Sequence, residues 1–145
     1  MRILAIAASA AMIASAFAAT ASADPIAERK QNMRDRGAQM RVLAPIAQGQ
    51  KPFDAATVHA ALDALNADAQ ATDVDALWPA GSETGDTKSS PKIWEDMAGF
   101  KAESEKFAAD SAAAAAAKPN DLASFQAVFG PVAAHCGTCH QAYRL

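Results

Sequence analysis

Residues 121–143 read DLASFQAVFGPVAAHCGTCHQAY, and this stretch decides both the fold and the chemistry of the chain. A helix is expected to start around Asn120-Asp121. Leu122, Phe125, Phe129, Val132, Cys136, Cys139 and Tyr143 then recur at three- and four-residue spacing along one side, the period of an amphipathic helix. On a helix, residues i, i+3 and i+4 share a face, so Cys136, Cys139 and His140 point together at one object. Two thiols can add to the two vinyl groups of a haem while the adjacent imidazole supplies a nitrogen to its iron, and Cys-x-x-Cys-His is the spacing that does so.

Three other readings of the cysteine pair are weaker. A disulfide across a four-residue interval would close almost no loop and barely constrain the unfolded chain. A thioredoxin-like redox pair sits near a βαβ pattern, which the sequence lacks. A zinc site needs two further ligands at comparable spacing, and none is present. His135, on the other side of Cys136, is misplaced for the fifth iron ligand.

Upstream, Gly and Pro cluster at 49–52, at 79–91 and at 118–120, dividing the chain before the motif into further segments. None alternates like a strand, and Ala dominates all of them, so propensity and pattern both predict helix. The first helix is expected from near Ile26 to about Gln48, with Ile26, Met33, Met40, Leu43 and Ala47 on one face. Gly37 shares that face, where a missing side chain is either simply tolerated or relieves crowding against a large flat ligand. The second is expected to begin at Asp54 as N-cap and to bury Val58, Ala61, Leu62 and Leu65. His59 lies beside that stripe, the placement of a solvated or hydrogen-bonded imidazole rather than a ligand.

The third is expected to open at Ser90-Pro91, Ser as cap and Pro at the first helical position, with Ile93, Met97, Phe100, Ser104 and Phe107 on its face. The run from Ala112 to Ala117 is strong helix-forming sequence. Four amphipathic helices with mostly short connections predict an all-α, antiparallel up-down-up-down four-helix bundle carrying one covalent haem c.

The N-terminus reads as an export signal: Arg2, an uncharged Ala-rich run from Ile3, and a small-residue cleavage site ending at Ala23 before Asp24-Pro25. The run is about as long as a membrane span, but its Ala and Ser content and Ala-x-Ala ending favour cleavage. Residues 1–23 are therefore expected to be a cleaved signal peptide, and 24–145 a single domain delivered to the periplasm, with no membrane association afterwards. Without Arg2 the 13 basic residues become 12 against 16 acidic ones, a net charge of −4. No basic run marks a nucleic-acid footprint.

Four local features resemble the class II c-type cytochromes, the cytochrome c prime family: Arg29 to Met33, Gly49-Gln50-Lys51-Pro52-Phe53-Asp54, Pro91-Lys92-Ile93-Trp94, and Cys136 to His140 followed by Tyr143-Arg144. The resemblance covers essentially the whole chain after residue 23. It implies a four-helix bundle with His140 as proximal axial ligand and a first-helix residue over the opposite haem face. Counted back from the Gly49-to-Pro52 turn, that distal position falls on Met33. The resemblance further implies haem-propionate contacts for Arg29 and Arg144, which a guanidinium can make bidentately; each can equally be a surface Arg.

Met33 has a packing alternative, since Met on a helix stripe is routine core filling. Met40 and Met97 are the fallback ligands. With His140 and Met33 both on the iron, the family's low-spin branch implies a single-electron carrier with a raised potential, working with redox partner proteins and catalysing nothing itself. With Met33 off the iron, the high-spin branch implies a five-coordinate protein binding or scavenging nitric oxide or carbon monoxide. The family includes monomers and homodimers. Its Lys-rich tail after the motif is missing here, where the given sequence stops at Leu145.

Overall fold

The computed structural model describes residues 24–145; the expected signal peptide lies outside them. The described residues form six helices: α1 Pro25–Ala47, α2 Ala55–Ala71, α3 Val74–Leu77, α4 Lys92–Glu95, α5 Met97–Ala117 and α6 Leu122–Tyr143. The four long ones make the bundle, with α1 against α2, α2 against α5, α5 against α6, and α6 back against α1.

Side-chain caps fix where the helices start. Asp24 accepts from the Ile26 amide at 2.9 Å with Pro25 in the first turn, and Asp54 accepts from the Thr57 amide at 2.7 Å. Asp121 accepts from the Ser124 amide at 2.8 Å and is answered by the Ser124 hydroxyl, a reciprocal capping box. Each such cap contributes about 1 kcal/mol. After α1 the chain turns through Gly49 at φ +70°, a left-handed conformation that costs glycine little.

The third expected helix is split. The first piece starts at Lys92 with Pro91, not Ser90, in the N-cap position and no side-chain cap, although the Ser90 hydroxyl accepts from the Lys92 amide at 3.2 Å. That helix stops after one turn, because Asp96 leaves the helical region at φ −136°, ψ 52° and starts α5 by accepting from the Gly99 amide at 3.2 Å. The Asp96 carboxylate also receives the Tyr143 hydroxyl at 3.2 Å, so contact with α6 favours the break. The one-turn α3 was not expected from the sequence; Asp73 caps it through the Ala76 amide at 3.1 Å.

Two apolar clusters hold the bundle. The main one joins Leu43 of α1, Leu62 and Leu65 of α2, Phe107 of α5, and Phe125 and Val132 of α6. Full burial of a side chain such as Phe125 contributes about 2–3 kcal/mol. A second cluster, built on Leu77, Trp78, Ile93 and Phe100, sits at one end, and Cys139 and Tyr143 pack against it. The last turns of α6 are thereby set into an aromatic floor, with Phe100 edge-on to both Trp78 and Tyr143.

Candidate functional site

Cys136, Cys139 and His140 lie on the last turns of α6, where the helical repeat brings them to one side. The two thiols are half-buried and not bridged to each other. Burial pushes both thiols up from their ordinary range, and the Arg36 guanidinium opposes that rise at each. His140 is shifted the other way, first by burial and then by the neighbouring Arg144 charge. Both influences favour the neutral imidazole, the form with a lone pair free for a metal.

The facing helix is α1. Arg29, Met33, Arg36 with Gly37, and Met40 fall on successive turns of it. Met33 is 41% exposed and belongs to neither apolar cluster, whereas Met40 packs against the main cluster and Met97 against the second. Of the three methionines considered as ligands, two are therefore partly buried against the core and Met33 is the exposed one. A Cβ on Gly37 would meet only the end of Arg41, at 3.5 Å, so no close contact explains a glycine there.

Arg29 is 4% exposed, far from an ordinary surface arginine. Its Nε donates to the Pro25 carbonyl at 3.1 Å and its Nη2 to the Ser82 carbonyl at 3.0 Å. The guanidinium lies 5.5 Å from the ring centroid of Trp78 and 5.6 Å from that of Trp94, within cation–π range of both. Burial lowers its pKa, against the opposing pull of Asp24 and Glu83. Nη1 is buried with no hydrogen-bond partner. A buried cation with an unsatisfied donor, one helical turn before Met33, is suited to an anionic group.

Arg144 is exposed. Its amide donates to the His140 carbonyl at 3.3 Å, and its backbone pairs with Ser89 in an isolated antiparallel bridge. His59 is hydrogen-bonded at 2.9 Å to the Pro119 carbonyl, and His135 sits between Glu103 at 2.7 Å and Asp110 at 2.8 Å. Neither imidazole joins the group around His140.

Sequence reasoning missed the cage around Arg29. Ser82 and Trp78 come from the connection around α3, where no periodicity signals a shared site, and only the resemblance at Pro91 to Trp94 hinted at the second tryptophan. Arg36 was missed too. Its only signal was its place one turn beyond Met33.

The family model described as Cytochrome C′ matches residues 24–144. The chain is 40% identical over 124 residues to a cytochrome c-556 of Agrobacterium fabrum, covering 86% of this chain and 83% of that protein. Among solved structures, cytochrome c′ from Rhodopseudomonas palustris aligns with a TM-score of 0.76 at 38% identity, over 84% of this chain and 96% of that one. A nitric oxide complex of a mutant cytochrome c prime from Alcaligenes xylosoxidans aligns with a TM-score of 0.72 at 32% identity, over 86% and 97%. With a helical bundle presenting Cys-x-x-Cys-His at the end of its last helix, the chain belongs to the cytochrome c′ family of c-type cytochromes, whose cofactor is covalently bound haem c.

Proposed function

We propose that Cys136 and Cys139 hold the haem as thioethers, that His140 is its proximal ligand, and that nitric oxide or carbon monoxide binds on the face toward Met33. The observation that carries this reading is the relative solved as a nitric oxide complex, 32% identical over nearly its whole length. Together with the matched family, it favours gas binding over the low-spin electron carrier expected from the sequence.

The chain's own residues fit the cofactor. The unbridged thiols share a face with a neutral-leaning imidazole, and the orphaned Nη1 of Arg29 is a donor in want of a carboxylate such as a haem propionate. When bound, the haem supplies reversible one-electron chemistry and an iron position open to a small ligand. His140 contributes a nitrogen lone pair from below. Arg29, held by two carbonyls and two indoles, fixes one edge by charge. Met33, exposed and outside both packed clusters, would line the side on which a small ligand would bind.

One observation favours the second reading, the single-electron carrier. Met33 is a large apolar side chain left exposed outside both clusters, and a thioether is a competent axial ligand. With Met33 bound, the protein passes electrons between redox partners and leaves no position for gas.

Carbon monoxide added to the reduced protein separates the two. Rapid, complete binding supports the gas binder; a low-spin spectrum that refuses carbon monoxide in the wild type but accepts it in Met33→Ala overturns it in favour of the carrier. Release to the periplasm after cleavage near Ala23 belongs to the same proposal, and N-terminal sequencing of exported protein checks it.

A further inference from the structure

Arg36 is a half-buried cation that no helix needs for its start or end. Its Nε is paired with the Asp68 carboxylate of α2, its Nη2 donates to the Thr72 hydroxyl at 2.6 Å, and its guanidinium lies 4.9 Å from the Phe107 ring centroid of α5. Phe107 is in turn edge-on to His135, the residue before Cys136. Three of the four long helices thus converge on this one charge. Through Phe107 and His135 it adjoins the turn of α6 that carries Cys136, and Met33 lies one turn before it on α1.

A cation held this way cannot swing out to water. Side chains of Arg36 and Asp68 are both largely covered, so salt screens the pair less than an exposed one. Electron uptake adds negative charge at the haem, and a fixed positive charge nearby favours the reduced form.

We propose that Arg36, restrained by Asp68 and Thr72, is an electrostatic determinant of the haem's reduction potential, raising it, with Asp68 partly offsetting that effect. The inference rests on haem attachment at Cys136 and Cys139 and holds whether the protein binds gas or carries electrons. Glu103 and Asp110 around His135 and the Arg29 guanidinium one turn before Met33 also carry charge, are the same in every variant, and leave the contrast between the two substitutions below unchanged.

The test is potentiometric titration of purified holoprotein against redox mediators, for wild type, Arg36→Gln, Arg36→Lys and Asp68→Asn. Arg36→Gln is expected to lower the potential, shifting the equilibrium constant with a mediator on the order of tenfold, the scale of one partly screened charge at close range. Asp68→Asn is expected to raise it, and Arg36→Lys to stay near wild type. A merely structural role for the pair would move both neutralising variants in one direction, and that outcome, or an unchanged potential in both, overturns the proposal. If Arg36→Gln does not fold, Asp68→Asn decides alone: a rise supports the inference, no change or a fall overturns it. Failure of the underlying reading looks different, because the denatured wild-type protein would then retain no covalent haem.

Discussion

Arg29 Nη2 donates to the Ser82 carbonyl at 3.0 Å, joining the first turns of α1 to the loop between α3 and α4 across fifty-three residues. The same loop pairs with the end of α6, where the Ser90 amide donates to the Tyr143 carbonyl and the Leu145 amide to the Lys88 carbonyl, both at 2.9 Å. One connection therefore ties the helix bearing Met33 to the helix bearing His140. Arg29→Gln is expected to lose about 2 kcal/mol of stability, the scale of charged hydrogen bonds removed from a buried site. Denaturant unfolding checks the loss, and faster amide exchange at Ser90 and Leu145 checks that the loop loosens with it.

Gly99 is required by a close approach. A Cβ there would come within 2.5 Å of one Asp96 carboxylate oxygen and 2.8 Å of the Tyr143 hydroxyl. Gly99→Ala is expected to cost about 1–3 kcal/mol by displacing the α5 cap and its link to α6, although alanine is the better helix former. An unfolding midpoint equal to or above that of the wild type would contradict this.

His135 should make stability depend on pH. Burial pulls its pKa down, but hydrogen bonds and charge from Glu103 and Asp110 outweigh that and leave it raised above 6.5. A group whose folded pKa is raised contributes stability that is complete below its unfolded pKa and lost as pH rises through the folded one. The expected loss therefore begins near 6.5 and continues upward to the raised value. Comparing unfolding free energies of wild type and His135→Gln across that range isolates the contribution: their difference should shrink as pH rises.

Ser111 is buried in α5 with its hydroxyl lacking a partner. Ser111→Ala removes an unsatisfied polar atom and improves helix propensity, so a gain of about 0.5–1 kcal/mol is expected. Thermal unfolding measures it; a marked fall in melting temperature would refute the prediction.

The sequence by itself determined that four long helices form, though not where the third begins, because the 3.6-residue period, the Asp cap at 54 and the Gly and Pro breaks are local signals that survive tertiary contact. It also placed Cys136, Cys139 and His140 on one face, since helix geometry alone brings i, i+3 and i+4 together. Only the tertiary structure decided what lies opposite. The break at Asp96 needs Tyr143 from another helix, and the Arg29 cage needs Trp78 and Ser82 from a loop without periodicity. The separation of Met33 from Met40 and Met97 needs to know which of three similar side chains the core has already used. Those distinctions depend on contacts between residues far apart in sequence, where no spacing rule operates.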